Sequence, residues 1–414
     1  MHPAILIPML FAVFCLIIYR SVRKQPVSFS WKEIVVILGV RVLLGFLYGY
    51  VFAKYFKGDD TWYFHNGSIE EQKKLLSDPY QFFADLNPFP AFARNPGFEA
   101  GWYYYLSDLE FWLMTKPMAF FNLVTNGNYY TNVVCLNFLT CWGSIWLYRL
   151  YLSMYSSKKT LLFLLVFVLP IPLFWMSGIR AEGWLLFFIA GALTRFHRVL
   201  KEIRWQDLTV LIFCLLGILI LRSVLLLILI PVLLAWWINQ KFNWKTYTSI
   251  LAVMLASTLL FFTSTLLNEK TNLPSLVVKR QQSFFALHGQ TRISLDTLSA
   301  SPASFIRVFP QAVRNSFLRP YVWEAKGVLQ ILASLSTLFL LALIVIYIFR
   351  SDRKLIQLLS EPLVFYPACF AFLLYVFIGY TIPFPGAIVR YKSVGEWFLI
   401  GPLLLSIRWT NQNK

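Results

Sequence analysis

Apolar runs of roughly 15–25 residues recur along the whole chain, and they restrict its fold more than any other feature. Hydrophobic residues make up 58% of the sequence, against about 45–50% in soluble domains. Such a run crosses a bilayer as a helix, because a helix satisfies its own backbone hydrogen bonds. The pattern predicts an all-α, polytopic membrane bundle in which residues 1–414 form one integral membrane domain. About eleven transmembrane helices are expected, over residues 3–19, 34–56, 129–153, 160–176, 183–199, 207–221, 223–238, 246–267, 327–349, 362–382 and 394–408.

Residues 207–238 form one apolar run of 32 residues, interrupted only by Arg222. A single helix over this run would be about 48 Å long, whereas the hydrocarbon core of a bilayer is about 30 Å thick. Length therefore predicts two helices joined by a tight hairpin at Arg222 and Ser223. Charge argues the other way, because without the break the basic segment 268–326 would lie on the cytoplasmic side, where positive loops are common.

The distribution of Lys and Arg predicts the orientation of the chain in the membrane. The chain has 37 Lys and Arg against 19 Asp and Glu, and these cations are scattered between apolar runs. This scatter argues against a nucleic-acid partner and is typical of cytoplasmic loops, with anionic lipid or phosphate as further partners. With the N-terminus outside, 57–128 and 268–326 become external loops. Aromatic residues interspersed with charge in 57–128 predict helices that lie in the membrane interface.

Two adjacent carboxylates, Asp59 and Asp60, follow the apolar run 34–56. A carboxylate at this boundary can act as a general base if an attacking hydroxyl comes within hydrogen-bond reach. It can equally be a solvated helix end, with Asp59 to Thr61 capping the next helix. His65 is a further candidate for this group. The four histidines and five cysteines show no metal-ligand spacing, so no cofactor is predicted and a divalent cation at the carboxylates is left open.

Further charges sit at predicted external boundaries, where ionisable groups are costly and often functional. Arg180 and Glu182 follow a turn that contains Gly178; they can pair with each other, or Arg180 can bind an anion. Arg222 interrupts its apolar run and needs either a counter-charge or a phosphate.

Two later strings carry the same kind of chemistry. Arg319 and Glu324 bracket the aromatic side chain of Trp323, which suits a sugar or a lipid headgroup or serves as an interface anchor. Arg390 and Lys392 are expected between the last two spans, where two external cations indicate phosphate binding.

The order of these motifs resembles that of the GT-C type glycosyltransferases, membrane-embedded enzymes of bacterial envelopes that use polyprenyl-phosphate sugars. The likeness spans most of the chain. The matching parts are the acidic pair after a membrane helix, the long external loop, the Trp175-x-Ser177-Gly178 turn with Glu182, Arg222 in a short hairpin, Arg319-Pro320-x-x-Trp323-Glu324, and Arg390-Tyr391-Lys392.

The resemblance implies inverting transfer of a sugar from a polyprenyl-phosphate donor to a glycan, lipid or protein acceptor. The first-loop aspartate of such enzymes is the base, a role that falls here to Asp59 or Asp60. Cations near the external boundary hold the donor phosphate in such enzymes, and the candidates for phosphate binding here are Arg180, Arg222, Arg319, Arg390 and Lys392. The candidates for sugar or acceptor binding are His65, Glu182, Trp323 and Glu324.

The same reading implies a multi-pass protein of a bacterial cytoplasmic membrane whose site faces the periplasm or exterior. Two other functions compete with it. A polymerase of lipid-linked polysaccharides would also need arginine-rich external loops. A lipid or glycan transporter would place its charges at mid-membrane between broken helices, whereas most charges here are expected at boundaries.

Overall fold

The computed structural model describes residues 2–56, 58–94, 97–266, 272–287, 291–325, 327–351, 357 and 360–407. Within these ranges the chain is helical, and its β-structure is a single bridge between Ser351 and Ile407. The all-α prediction is thereby confirmed for the described residues.

The helices follow the apolar runs and also fill much of the long polar stretches. In chain order they are α1 (Pro3–Val22), α2 (Trp31–Phe56), α3 (Asp60–Ser77), α4 (Pro79–Ala84), α5 (Phe89–Arg94), α6 (Phe98–Thr125), α7 (Tyr129–Leu152), α8 (Lys159–Phe167), α9 (Pro170–Ser177), α10 (Ala181–Lys201), α11 (Trp205–Arg222), α12 (Val224–Phe242), α13 (Thr246–Thr263), α14 (Leu273–Phe285), α15 (Pro302–Val313), α16 (Val328–Arg350), α17 (Pro362–Thr381) and α18 (Pro385–Ser406).

Among the described residues, eight helices are long and apolar enough to cross a membrane: α1, α2, α7, α11, α12, α13 with its extension to Leu266, α16 and α17. A ninth span is obtained if α8, with the turn before it, and α9 count as one, although the chain bends by 47° between them. The remaining two predicted spans fall in α10 and α18, which are helices of sufficient length that carry several charged residues. A multi-pass membrane protein is therefore supported, and the count of eleven stays a prediction.

The predicted break at Arg222 and Ser223 is confirmed, because α11 ends at Arg222 and α12 begins at Val224, and the tight hairpin stays a prediction. The prediction for residues 386–392 is wrong. These residues are not a turn but form the beginning of α18, which starts at Pro385. A proline at the first helical position has no backbone N–H to satisfy and already has a helical φ, so it favours this earlier start.

The chain divides into two compact units, and the first comprises residues 1–154, 163–195 and 208–223. In this unit α2 packs against α7 and α9, and α3 packs against α6. Arg41 lies on α2 and is fully buried. Its guanidinium donates hydrogen bonds to the side chains of Asn137 (3.1 Å), Ser144 (3.0 Å) and Thr140 (2.9 Å) on α7. A charge inside an apolar bundle thus ties two helices together through neutral partners.

The second unit comprises residues 155–162, 196–207 and 224–414. Here α17 packs against α12, α14, α15 and α18, and α16 packs against α18. The rings of Trp236 and Tyr366 stack with centroids 5.5 Å apart. The hydroxyl of Tyr366 lies 2.6 Å from that of Ser249 and donates to the carbonyl oxygen of Ala235 (3.2 Å), so buried hydrogen bonds join α17 to α13 and to α12.

Small residues allow the helices of the first unit to approach closely, and Gly45 offers a test. A Cβ atom at Gly45 would lie 2.4 Å from the carbonyl oxygen of Ser177 and 2.6 Å from the side chain of Val133. Gly45→Ala is therefore expected to destabilise the protein by about 1–3 kcal/mol, because backbone must move. The measurement is unfolding in detergent.

Gly39→Ala is the matched control on the same helix. Its added Cβ would meet only the ring of Phe11, at an ordinary 3.7 Å. Alanine there should be neutral or stabilising by up to about 1 kcal/mol, since it is the better helix former. Equal stabilities of the two variants would contradict this account of the helix contact.

Candidate functional site: an acidic cluster around a buried arginine

The predicted acidic pair lies against Arg180, in the first unit. Arg180 donates hydrogen bonds to Asp59, to Asp60 (2.5 Å) and to the hydroxyl of Tyr48 (3.0 Å). Its Nε atom lies 3.4 Å from Oε2 of Glu182. The structure thus brings the predicted residues Asp59, Asp60, Arg180 and Glu182 into one cluster and adds Tyr48 to it.

The side chains of this cluster range from buried to half exposed. The side chains of Arg180 and Glu182 are 3% and 1% exposed, whereas those of Asp59 and Asp60 are 25% and 53% exposed. Burial by itself lowers the pKa of Arg180, but Tyr48 and the three carboxylates outweigh this effect and raise the pKa well above its ordinary value. The arginine is therefore a permanent cation that holds two accessible carboxylates in place.

Two glycines allow the backbone to build this cluster. Gly58 has φ +92°, a left-handed conformation that other residues adopt only with strain, and it turns the chain from α2 into Asp59. At Gly178 a Cβ atom would lie 2.5 Å from the ring of Tyr48. The turn before Arg180 can therefore approach α2 closely enough for the Tyr48 hydroxyl to accept its hydrogen bond.

Thr61, predicted from the sequence only as part of a helix cap, connects the two segments of the site. Its hydroxyl accepts a hydrogen bond from the backbone N–H of Ile179 (3.2 Å) and lies 2.8 Å from the hydroxyl of Tyr129. Asp59 caps α3 by position but makes no capping hydrogen bond with its side chain. Its carboxylate is instead used to bind Arg180, which disfavours the reading of the pair as a simple helix end.

His65 lies one turn further along α3 and is buried. Its ring packs edge-on against Trp62 and Tyr129, and Nδ1 lies 3.5 Å from the amide of Asn132. Burial lowers the pKa of His65 to about 4, against an opposing hydrogen bond with the backbone of Gly127. These contacts give His65 a packing role behind the acidic cluster.

Arg222 takes a counter-charge that sequence reasoning did not name. Its Nη1 atom lies 2.5 Å from Oε1 of Glu110 on α6. Both side chains are about a quarter exposed, at 24% and 27%. No local pattern links the two residues, which are far apart in the sequence, so only the fold could identify the pair.

The remaining candidates belong to the second unit. Arg319 pairs with Glu324 at 3.1 Å, and its guanidinium lies 5.4 Å from the ring centroid of Tyr321. The rings of Tyr321 and Trp323 stack at 4.8 Å with an angle of 11° between their planes. Trp323 is 81% exposed, so the string forms an accessible aromatic platform beside an ion pair.

Lys392 and Arg390 are placed differently from each other. Lys392 is buried, and its Nζ atom donates hydrogen bonds to Thr337 (3.0 Å) and to the carbonyl oxygen of Arg319 (3.3 Å). Glu396, also buried, follows four residues later on α18 and accepts a hydrogen bond from Ser336 (2.5 Å). The i, i+4 spacing of Lys392 and Glu396 was a signal available in the sequence. Arg390 stays half-buried, over the ring of Tyr391.

Chemically, the acidic cluster can accept a proton or bind a positively charged or hydroxyl-bearing group. In the described part of the chain, no group of three or more His, Cys, Asp or Glu side chains is arranged to hold a metal ion. The phosphate-binding role of Arg180 is disfavoured by its contacts, because three carboxylates surround it. Positioning of Asp59 and Asp60 accounts for the same contacts.

Removal of the buried positive charge of Arg180 is expected to destabilise the protein strongly. Arg180→Gln should lower the free energy of unfolding by about 3–5 kcal/mol, because it leaves the buried carboxylate of Glu182 uncompensated. The double variant with Glu182→Gln should recover part of this loss. Arg204→Gln, which breaks an ion pair exposed by 65% and 64%, is the control and should leave stability almost unchanged. If Arg180→Gln lowered the free energy of unfolding no more than the control does, Arg180 would have no stabilising role in the cluster.

His65 predicts a pH dependence of stability. Its pKa is about 4 when folded and about 6.5 when unfolded, so the unfolded chain binds a proton first as the pH falls. Stability should be constant above about pH 6.5 and fall by about 2 kcal/mol between pH 7 and pH 5. His65→Gln should flatten this decline. Parallel pH profiles for wild type and variant in denaturant titrations would rule out the assignment.

Comparison with known proteins adds no name to this site. No protein-family model matches the chain. No curated protein and no solved structure is significantly similar to it. We therefore infer a function from the residues of the site and their geometry.

Proposed function

We propose that the chain is a glycosyltransferase of a bacterial cytoplasmic membrane. It would transfer a sugar from a polyprenyl-phosphate donor to a glycan, lipid or protein acceptor on the external side, with inversion at the anomeric carbon. The observation that carries the proposal is the acidic cluster, in which buried Arg180 orients two accessible aspartates at the start of α3.

Exposure favours Asp60 as the base. Its side chain is 53% exposed, against 25% for Asp59, so an acceptor hydroxyl reaches it more readily. Asp59 and Arg180 would then be positioning residues. Holding a catalytic carboxylate in one orientation raises the rate because the reacting groups are aligned before the reaction starts.

The proposed step is a single displacement. The carboxylate of Asp60 takes the proton of the acceptor hydroxyl. At the same time the oxygen of that hydroxyl forms a bond to the anomeric carbon of the donor sugar. The bond from that carbon to the phosphate oxygen breaks, and the polyprenyl phosphate leaves with the electron pair. Cations that neutralise the growing charge on the phosphate contribute strongly to such a step.

For the phosphate-binding group we propose Arg222, which belongs to the first unit together with Asp60. Arg222 is paired with Glu110, and a phosphate can take the place of that carboxylate with charge-assisted hydrogen bonds of the same kind.

The test is sugar transfer by the purified full-length chain in nanodiscs. Radiolabelled polyprenyl-phosphate monosaccharides serve as donors, and a glycolipid extract of bacterial envelopes supplies acceptors. General-base removal lowers rates by about 10²–10⁴-fold, so Asp60→Asn should reduce transfer by at least about 100-fold. Asp59→Asn should have a smaller effect through loss of orientation.

The matched control is Glu70→Gln, an exposed acid on the same helix α3. It should transfer at the wild-type rate. Unchanged transfer by both aspartate variants would remove the base assignment, and no transfer from any donor by wild type would remove the proposed activity.

A further inference from the structure

A cavity of about 230 Å³ lies within the first unit, away from the acidic cluster. It is lined by residues of α3, α4, α5 and α6, the helices of the loop 57–128. Pockets for drug-sized ligands measure about 300–1,000 Å³, so this one suits a ligand the size of a single ring. No residue proposed above for sugar transfer lines it.

The floor of the cavity is built from ion pairs. Lys116 is buried and lies 2.6 Å from Glu71 and 3.1 Å from Asp85. Lys74 also binds Asp85. Burial acts to raise the pKa of Asp85, but the hydrogen bonds from Lys74 and Lys116 outweigh it and hold the pKa below its usual range. Two lysines therefore hold the carboxylates of the floor in place.

The walls combine polar groups with aromatic rings. Tyr105 and Trp112 on α6 line the cavity, and the Tyr105 hydroxyl donates to the carbonyl oxygen of Leu86 (2.7 Å), which fixes that ring. Asp108 and Gln81 contribute a carboxylate and an amide. Burial raises the pKa of Asp108 despite nearby Arg94.

This lining selects one chemical class. Among the described residues, the carboxylates Glu71, Asp85 and Asp108 are matched by the cations Lys74, Arg94 and buried Lys116, so the cavity has no excess positive charge with which to bind a phosphate. An acyl chain would leave the polar groups unpaired, which is costly. A neutral sugar ring has hydroxyls for the carboxylates and amides and an apolar face for the aromatic rings.

The position of the cavity adds a constraint on the substrate. Lys74 and Asp60 belong to the same helix, α3, and lie fourteen residues apart. At 1.5 Å per residue this separation is about 21 Å along the helix axis. A sugar in the cavity therefore cannot also offer its hydroxyl to Asp60.

We propose that this cavity is a remote subsite for one neutral pyranose residue of a glycan acceptor several sugars long. The proposal rests on the proposed sugar transfer for its role in catalysis, although sugar binding itself does not require turnover. Contacts far from the reacting atoms help an enzyme to hold and align its substrate. The acceptor class would then be an extended glycan rather than a single lipid headgroup.

The first experiment measures binding without turnover. The full-length chain in nanodiscs is titrated with methyl glycosides of glucose, galactose, mannose and N-acetylglucosamine, and binding is followed by saturation-transfer NMR. At least one pyranoside is expected to bind, and Asp108→Asn and Gln81→Ala should each weaken it at least tenfold. Glu70→Gln and Tyr104→Ala, an exposed acid on α3 and an exposed aromatic next to Tyr105, should bind as wild type does.

Three results would overturn the subsite: no binding of any pyranoside, equal binding by Asp108→Asn and Gln81→Ala, or displacement of the sugar by millimolar inorganic phosphate. The second experiment compares acceptors in the transfer assay. Asp108→Asn should raise the KM for a glycan acceptor at least fivefold, with little effect on the KM for a monosaccharide acceptor. Equal effects on both would exclude the remote position.

Binding of sugar without any transfer activity would leave the subsite standing and reject the proposed reaction. Sugar transfer without binding of pyranosides at the cavity would reject the subsite and leave the proposed reaction standing. The two proposals therefore fail separately.

Discussion

The structure of the first unit depends on the burial of one guanidinium. Arg180 is 3% exposed, and an arginine can be buried at this depth only with opposite charge and hydrogen bonds around it. Its partners come from α2, from the start of α3 and from the start of α10. One ionic requirement therefore brings three segments together and decides where the aspartates of the α2–α3 junction must lie.

Arg41 shows that not every buried arginine marks a site. It is fully buried on α2, yet its partners are the neutral side chains of Asn137, Thr140 and Ser144. Neutral partners anchor helices but supply no base or nucleophile. The carboxylates around Arg180 grade from buried to half exposed, so the same interaction that stabilises the fold also presents reactive groups to solvent. This difference in partners, rather than burial itself, separates the candidate site from the core.

The sequence predicted those parts of the fold that depend on local chemistry. Apolar runs identified the helices, and the length limit of a bilayer located the break after Arg222. The start of α18 was not predicted, because the charges of Arg390 and Lys392 indicated a loop. In the structure Lys392 is buried and donates a hydrogen bond to Thr337. Glu110 was missed as the partner of Arg222, because contacts between distant helices leave no periodic trace. The position of Asp59 and Asp60 is unusual in the sequence itself, but their contact with Arg180 is seen only in the folded structure.

Helix α3 of the loop 57–128 connects the acidic cluster with the proposed sugar subsite and sets the distance between them. Helix α3 begins at the acidic cluster and carries Glu71 and Lys74 to the cavity, so the separation of the two places is set by one continuous helix. Thr61 ties its first turn to Ile179, and Lys116 ties its second half to α6 through Glu71. A substrate that touches both ends must match a fixed length. Selection by length would let a chain with a small, polar cavity discriminate extended glycans from single sugars without strong binding at either end.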